Sequence, residues 1–577
     1  MLESVWITSI LTTSKKTLRE PQTVNTSPLE NPFYYLENFH QVLEWIAQRY
    51  DDLLDEQERQ FIVDFAGLPK TAQGLLVRMV MRKGTLFRAS KLSYSELGAV
   101  RDAVMPLLEN GWVDQHPAIS LEALFALLRK AELTVCFQAH AIKNTEKKTD
   151  LLTRLQPHYE QPQTLEQWFA GCEDVIFGLT VMPICDRLRL LYFGNLSQEW
   201  SEFVLADLGI YRYEKVEFSL DSRGLTARAD IDTCLHLHAC RQGLEEGNDL
   251  PDLARQIIAI GTDNAWLRMR RAKLLFRIGQ QAERIQDWPL ALSVYQRCDY
   301  PGARSRRLRV LELSADYEHA MALLEQAQAA PESDAEAQHL LRILPRLQRK
   351  LGLPVERQRR TRALSRLDVV VTPSADTCVE RLIQVHLGDQ AGPVHYVENT
   401  LINSLFGLLC WPAIFAPLPG AFFHPFQSAP SDLYSPDFYQ RRAGLFSKCL
   451  EQLDSDAYKT TIRQHFKTKH GLQSPFVFWG NLSEELLAHA LHCLPADHLR
   501  HWFRRLLLDI KANRTGMPDL IQFYPDEQRY RMIEVKGPGD RLQDNQLRWL
   551  DFCAEHGMPV VVCYVQWAPV VSSVLAD

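Results

Sequence analysis

The amino-acid sequence predicts a multidomain, mainly α-helical chain that ends in an α/β domain. Its 577 residues give room for about three or four domains. Apolar residues recur with helical spacing along residues 36–66 and, almost without a break, along residues 250–350. Between residues 519 and 567 the pattern changes to two short strands, a helix and a third strand, which is the core of an α/β domain.

Composition and charge restrict the classes of function. A net charge of −7 excludes a uniformly basic nucleic-acid coat, so a polyanionic partner would have to contact local basic patches. No run of about 18 apolar residues occurs, which predicts that no segment spans a membrane. The twelve cysteines form no CxxC pair, and the N-terminus lacks the charge-first order of a secretory signal. These features predict reduced thiols and an intracellular location.

The N-terminal part carries two basic segments that suit contact with phosphate. Residues 71–113 have the pattern helix, turn, helix, strand, and GWVDQ would start the wing of a winged helix. A second basic loop lies between helices predicted within residues 120–155. Lysine and arginine at such positions position a nucleic acid rather than read its bases, although a solvated charged face explains them equally well. The candidate DNA-binding residues are Arg82, Lys83, Arg88, Lys91, Lys143, Lys147 and Lys148.

The helical middle of the chain has the residue distribution of helical-hairpin repeats, without a clean period. Basic runs occur at residues 268–273, 303–309 and 349–362, and the last is the predicted linker into the C-terminal domain. Arginines on helical repeats often only cover the surface with their stems. In an acidic chain, clusters of this kind favour a track for the DNA backbone.

The candidate catalytic site lies on the two predicted strands near the C-terminus. Alternation along a strand places Glu534 and Lys536 on one face and Val535 on the other. If Asp519 opens the adjacent strand, its carboxylate can meet that of Glu534. Two carboxylates suit Mg²⁺ or Mn²⁺, with the Val535 carbonyl as a third ligand. Lys536 would lie beside the ion, where it could orient or deprotonate an attacking water.

An ordinary exposed hairpin would explain the same acids, and the surrounding sequence decides against it. Gly516-Met517-Pro518 makes a tight entry to Asp519, and Glu534 ends an apolar run. Gln546 follows on the next predicted helix, where its side chain could face the same cleft. The arrangement predicts hydrolysis of phosphodiester bonds.

The segments GMPDL and MIEVKGPGDRLQDNQLRWL resemble the VRR-NUC nuclease domain of the PD-(D/E)xK superfamily. Nearly the whole chain resembles the Fanconi-associated nuclease family. The resemblance implies a DNA-binding region with a SAP-like part, TPR-like helices and a nuclease domain. The predicted boundaries are an N-terminal helical region at 1–69, a winged-helix and SAP-like region at 70–160, a TPR-like region at 161–365 and a VRR-NUC domain at 366–577.

The resemblance also implies one further metal ligand. Glu398, in the segment VENTLINSLFGLLCW, matches an upstream glutamate of the family, at the start of a helix expected to run from residue 398 to 411. By its position alone it could be an acid in the first turn of that helix, favoured there by the helix dipole. The predicted site therefore comprises Glu398, Asp519, Glu534 and Lys536, supported by Gln546.

The family resemblance implies a metal-dependent, structure-selective DNA nuclease that uses Mg²⁺ or Mn²⁺. Its expected activities are endonuclease cutting near the branch of 5′ flaps and 5′-to-3′ exonuclease action, in repair of DNA interstrand crosslinks. A catalytically inactive scaffold that binds branched DNA and a sequence-specific restriction-type endonuclease are the alternatives. The expected partner is branched or 5′-flap DNA.

No ubiquitin-binding zinc finger precedes residue 36, so the chain resembles a short, bacterial-type member. Its expected location is then the cytoplasm, at the nucleoid, whereas eukaryotic relatives would be nuclear. The segment CLHLHAC could be taken for a zinc site through Cys234, His236, His238 and Cys240. Zinc ligands normally come as two separated pairs, so the spacing favours a structural role.

Overall fold

The computed structural model describes residues 31–140, 142, 145–200, 211–355, 364–373 and 377–568. The chain forms two compact units, one of residues Met1–Tyr211 with Phe218–Leu235 and one of Arg212–Glu217 with His236–Asp577. Lys143 and residues 356–362, half of the predicted linker at 349–362, lie outside the described residues. Within those residues, no helix has both the length and the apolar character needed to cross a membrane.

The first unit combines helices with a small antiparallel sheet in the strand order β1-β3-β2. Its strands are β1 (Leu86–Arg88), β2 (Val113–Asp114) and β3 (Ile176–Leu179). Its helices are α1 (Tyr34–Tyr50), α2 (Glu56–Gly67), α3 (Lys70–Val80), α4 (Val100–Glu109), α5 (Leu121–Leu127), α6 (Lys130–Cys136), α7 (Lys148–Leu155), α8 (Leu165–Trp168) and α9 (Met182–Phe193).

A helical subdomain is inserted between strands β2 and β3, where the sequence predicts a wing. Strands β2 and β3 pair directly, yet helices α5 to α8 lie between them in sequence. These helices pack around their own apolar core, which includes Leu124, Phe125, Leu151 and Trp168. The strand predicted at GWVDQ is confirmed. Strand β3, which completes the sheet, was not predicted, because it is four residues long and its partners are distant in sequence.

A buried ionic cluster of the first unit joins α2 and α9 to Arg228, the first residue of the next helix that the structure describes along the chain. The Glu58 side chain of α2 is fully buried and contacts the guanidinium groups of Arg187 and Arg228. Its Oε2 lies 2.5 Å from Nη1 of Arg228 and also accepts a hydrogen bond from the backbone N–H of Asp55, at 2.9 Å. Both carboxylate oxygens therefore accept hydrogen bonds, and two guanidinium groups, those of Arg187 and Arg228, compensate the charge of Glu58.

The middle of the chain is helical, as predicted for residues 250–350. Successive helices pack in sequence order, and Gly279 allows the closest approach, because a Cβ there would lie 2.5 Å from the Tyr295 ring. The helices are α10 (Arg228–Glu246), α11 (Leu250–Ala259), α12 (Ala265–Arg284), α13 (Trp288–Gln296), α14 (Ala303–Leu313), α15 (Tyr317–Ala329) and α16 (Asp334–Lys350).

The C-terminal part contains a five-stranded mixed sheet in the order β4-β8-β7-β6-β5. Its strands are β4 (Arg366–Val371), β5 (Val394–Tyr396), β6 (Leu520–Tyr524), β7 (Arg529–Lys536) and β8 (Val560–Trp567). Its helices are α17 (Val379–Leu387), α18 (Leu401–Leu409), α19 (Trp411–Ile414), α20 (Phe438–Arg441), α21 (Ala443–Glu451), α22 (Ala457–Thr468), α23 (Glu484–Cys493), α24 (Ala496–Leu508), α25 (Ile510–Asn513) and α26 (Asp544–Glu555).

The predicted strand–strand–helix–strand unit is confirmed as β6, β7, α26 and β8. β6 and β7 form an antiparallel hairpin, and β8 returns parallel to β7 after α26. The expected helix from residue 398 to 411 is wrong at its start, because α18 begins only at Leu401. Strands β4 and β5 at the two sheet edges were not predicted from the sequence.

Candidate active site

Asp519 stands at the entrance to the β6–β7 hairpin. Leu520 pairs with Ile533, so the antiparallel register places Asp519 opposite Glu534. Gly516 has a φ of +90°, and a Cβ there would lie 2.8 Å from the backbone carbon of Asn545, so only glycine fits this approach to α26. Oδ2 of Asp519 accepts a hydrogen bond from the backbone N–H of Val535, at 2.8 Å.

Glu534 and Lys536 share one face of β7, as the strand alternation requires. Nζ of Lys536 lies 2.8 Å from Oε1 of Glu534 as an ion pair. The Glu534 side chain is fully buried, and neither of its oxygens accepts a hydrogen bond of acceptable geometry from a residue that the structure describes. The side chain of Val535 is buried on the opposite face. One ammonium is thus the only close positive charge that the structure shows for Glu534 among the described residues.

The electrostatics of the site oppose the ionised form of its acids. Burial, above all, and the Asp519 charge raise the pKa of Glu534 to about 8, against the opposing influence of Lys536. Burial and the charge of Glu398 raise the pKa of Asp519 to about 6, although the hydrogen bond from Val535 lowers it. The three acids therefore repel one another in a poorly solvated space.

Glu398 lies in the turn between β5 and α18, not in the first turn of a helix. The explanation of Glu398 as a helix-dipole acid therefore does not hold, because α18 begins three residues later. Its Oε2 accepts a hydrogen bond from the Tyr396 hydroxyl at 2.5 Å, and its Oε1 accepts one from Nδ2 of Asn399 at 3.2 Å. Burial and this carboxylate together raise the pKa of Tyr396.

The residues present fit a hard divalent cation in their chemistry. Within the described ranges, no group of three or more His, Cys, Asp and Glu side chains is arranged so that it could hold a metal ion. The fit rests instead on the chemistry of the ligand atoms. Among the described residues, the buried Glu534 oxygens accept no hydrogen bond, and they lie beside the Asp519 carboxylate, whose pKa is raised. A cation would relieve this repulsion, and carboxylate oxygens are the ligands that Mg²⁺ and Mn²⁺ prefer.

Gln546 has a local structural contact. It lies in the first turn of α26, and its Oε1 accepts a hydrogen bond from the backbone N–H of Gln543 at 2.9 Å. The carboxamide oxygen is thus engaged in a capping box at the helix start. A role of Gln546 in the cleft stays a prediction.

The structure divides the candidate DNA-binding residues into two groups. Arg88 contacts Glu132 and Asp174 in ion pairs at 2.8 and 2.7 Å, and its hydrogen bonds help lower the pKa of Glu132 to about 2. Nζ of Lys148 donates to the carbonyl oxygen of Leu128 at 2.7 Å. These two side chains have partners within the protein. The residues that are exposed, as a phosphate contact requires, are Arg82, Lys83, Lys91 and Lys147. Of these, Arg82 also donates long hydrogen bonds to the Lys91 carbonyl oxygen and the Tyr94 hydroxyl, at 3.3 and 3.4 Å.

Sequence reasoning missed the residues that hold the turn around Glu398. Asn403 is fully buried in α18, whose sequence LINSLFGLL is otherwise almost wholly apolar. A polar amide at a buried helical position was the signal that could have identified it.

The segment CLHLHAC lies within α10 with Cys234 and Cys240 buried, which supports a structural role rather than a zinc site.

Three family models match the chain. The FAN1 HTH domain matches residues 33–114, the Fanconi anemia-associated nuclease SAP domain matches 118–168, and the VRR-NUC domain matches 454–567. The SAP match coincides with helices α5 to α8, which are inserted between strands β2 and β3. The HTH match begins at α1, well before the predicted boundary at residue 70.

Full-length relatives and solved structures agree with these matches. A Fanconi-associated nuclease 1 homolog of Pseudomonas aeruginosa is 56% identical over 95% of this chain and 98% of its own length. A homolog of Oryza sativa is 24% identical over 92% of this chain and 62% of its own length. A crystal structure described as paFAN1 bound to 2-nucleotide 5′-flap DNA with a gap covers 93% of this chain, with a TM-score of 0.88 and 56% identity.

Proposed function

The chain belongs to the Fanconi-associated nuclease family, and from this premise we propose that it is a metal-dependent, structure-selective DNA nuclease. The observation that carries the proposal is the buried Glu534 carboxylate, which lies opposite Asp519 and, within the described part of the chain, has Lys536 as its one ion-pair partner. The proposed activities are incision near the branch of 5′ flaps and 5′-to-3′ exonuclease action, in repair of interstrand crosslinks. Solved relatives described as bound to 5′-flap DNA support this substrate.

We assign the candidate residues the following roles. Asp519 and Glu534, with Glu398, would hold Mg²⁺ or Mn²⁺ together with the Val535 carbonyl. A bound divalent cation supplies Lewis-acid polarisation of the phosphate and a water of lowered pKa. Lys536, whose ammonium lies 2.8 Å from Glu534, would orient the attacking water and offset charge on the scissile phosphate. Burial of these groups strengthens each electrostatic contact with the phosphate.

Substrate selection would depend on shape rather than on base sequence. The exposed basic residues Arg82, Lys83, Lys91 and Lys147 would contact the backbones of duplex arms. Such contacts weaken with salt because binding releases counterions from the DNA. Flap and duplex DNAs of unrelated base sequence should therefore bind equally when their branching is the same.

The test is cleavage of end-labelled 5′-flap, 3′-flap, splayed-arm and plain duplex DNAs in Mn²⁺ or in EDTA. We expect Mn²⁺-dependent cutting near the 5′-flap branch by the wild type, and a loss of at least about a thousandfold in Asp519→Ala, because the ion would lose a ligand. Asp526→Ala is the matched control, since Asp526 is an exposed acid in the turn of the same hairpin.

Each alternative function predicts a different result of this experiment. Tight flap binding without cleavage in any divalent metal would support a DNA-binding scaffold and overturn the proposal. Cutting that follows base sequence, whatever the branch position, would support a restriction-type endonuclease. The same DNAs in two unrelated sequences separate these outcomes.

A further inference from the structure

Two asparagines join the turn that carries Glu398 to the segment that precedes β6. The backbone N–H of Met517 donates a hydrogen bond to Oδ1 of Asn399 at 3.1 Å. Nδ2 of Asn403 donates to the carbonyl oxygen of Asn399 at 2.7 Å and to that of Arg514 at 2.9 Å. Two of these hydrogen bonds join parts of the chain more than a hundred residues apart, and the third ties the two asparagines to each other.

The orientation of the Asn403 amide is dictated by its partners. Both are backbone carbonyl oxygens, which only accept hydrogen bonds, so the nitrogen has to face them. Its Oδ1 is buried and accepts no hydrogen bond from the described residues. An unsatisfied buried acceptor costs about 1–3 kcal/mol, which an apolar residue in this apolar helix would avoid. The asparagine is therefore explained by the two carbonyls that it holds, not by packing.

Asn399 links the Glu398 carboxylate to the same segment. Its φ of +52° lies in the left-handed region, which asparagine adopts more readily than most side chains. In this conformation Nδ2 donates to Oε1 of Glu398 at 3.2 Å while Oδ1 accepts from Met517. The contact needs one donor and one acceptor on a single short side chain, which asparagine supplies.

The consequence is a fixed separation between two of the candidate metal ligands. Met517 precedes Asp519 by two residues, and the backbone N–H of Val397 donates to the carbonyl oxygen of Asp519 at 2.9 Å. Glu398 is therefore connected to the Asp519 segment through its neighbours on both sides, Val397 and Asn399. Groups that orient the ligands of a metal ion commonly change its affinity by about 10- to 100-fold when they are removed.

We propose that Asn399, held from behind by Asn403, is a positioning residue that fixes the Glu398 carboxylate relative to Asp519 and so sets the affinity of the site for its divalent cation. The inference rests on the function proposed above and deepens it. Neither asparagine contacts the reacting groups directly; each acts through Glu398 and the segment that leads to Asp519.

The test measures Mn²⁺ binding to the full chain by isothermal titration calorimetry in the absence of DNA. Asn399→Gly keeps the left-handed backbone and removes both side-chain hydrogen bonds, so we expect its Mn²⁺ affinity to fall about tenfold or more. The Mn²⁺ concentration for half-maximal flap cleavage should rise by a similar factor. The affinity for 5′-flap DNA in EDTA should not change, because the loss of positioning affects only the metal ligands. A general structural defect would instead lower the affinity for Mn²⁺ and the affinity for DNA together.

Gln528→Gly is the matched control. Gln528 also has a left-handed φ, of +50°, and its side chain is exposed in the β6–β7 hairpin. Asn403→Ala is the second variant, for use in particular if Asn399→Gly does not fold. It removes both carbonyl contacts and should weaken Mn²⁺ binding in the same direction, whereas Gln528→Gly should leave it unchanged.

The outcomes separate this inference from the proposed function. Unchanged Mn²⁺ affinity in folded Asn399→Gly or Asn403→Ala would overturn the positioning role, provided that Asp519→Ala loses both Mn²⁺ binding and cleavage. If Asp519→Ala instead retains Mn²⁺ binding and cleavage, the proposed active site itself fails, whatever the asparagine variants show.

Discussion

Glu58 and Glu534 are both completely buried glutamates, but their surroundings are opposite. Two arginines and a backbone N–H meet the Glu58 carboxylate. Among the residues that the structure describes, Glu534 has one ion-pair partner, the Lys536 ammonium, and it faces other acids. A buried charge without full compensation is costly, so a fold retains it where something outside the protein completes the compensation. The comparison distinguishes an acid that ion pairs within the fold satisfy from one that the proposed cation would compensate.

The same substitution should have opposite effects at the two positions, and the largest effect concerns catalysis. We expect Glu534→Gln to reduce 5′-flap cleavage by about a thousandfold or more, which is about 4 kcal/mol in the activation barrier. Its free energy of unfolding in EDTA should stay equal or increase, because glutamine has no carboxylate that folding must either desolvate or neutralise by protonation. Single-turnover cleavage and urea unfolding measure the two quantities.

Glu527→Gln is the control, because Glu527 is an exposed acid on the same hairpin and pairs with Arg529. A Glu534→Gln protein that cleaves normally, or that unfolds at clearly lower urea than the wild type, would show that Glu534 is a structural acid like Glu58.

The second effect is on stability. Glu58→Gln leaves Arg187 and Arg228 as two like charges without their shared carboxylate. We expect the free energy of unfolding to fall by about 3 kcal/mol, the lower end for a broken buried ion pair, because Arg228 is one-third exposed. Cleavage per folded molecule should be unchanged. Urea unfolding followed by circular dichroism measures the first quantity.

Glu56→Gln, at an exposed position in the first turn of the same helix, should change stability by less than about 0.5 kcal/mol. Equal effects of Glu56→Gln and Glu58→Gln would contradict the structural role of the buried cluster.

The two regions also differ in what the sequence could predict. Alternation and apolar runs identified β6, β7, α26 and β8, since each pattern lies within its own segment. Strand β5 is three residues long and pairs with β6, more than a hundred positions later, so nothing local marks it. The same limit applies to charges, because Arg88 was predicted to face DNA while its partners, Glu132 and Asp174, lie 44 and 86 residues away.

Within the candidate site, the strand spacing together with the surrounding sequence predicted Asp519, Glu534 and Lys536, whereas Glu398 required the family resemblance. Its neighbours Asn399 and Asn403 were missed, because their role depends on carbonyls and an N–H near residue 515 that only the fold brings close. Sequence patterns therefore identified the groups of the proposed chemistry but not the hydrogen bonds that position them.

The smallest effect concerns a third kind of charged contact, an exposed one. Arg342 of α16 contacts the carboxylate of Asp544, the first residue of α26, and the two side chains are 47% and 51% exposed. Solvent screens such a pair, so we expect Arg342→Ala to lower the free energy of unfolding by only about 0.5 kcal/mol, and high salt to remove the difference. Urea unfolding at low and high NaCl measures this change. Arg346→Ala breaks the contact with Glu312, whose side chain is 23% exposed, and should lower the free energy of unfolding slightly more. A loss above about 2 kcal/mol in Arg342→Ala alone would mean that burial is not what separates structural from dispensable ion pairs in this chain. Reduced cleavage at unchanged stability would instead mean that the contact with α16 positions α26, the helix that follows the candidate site.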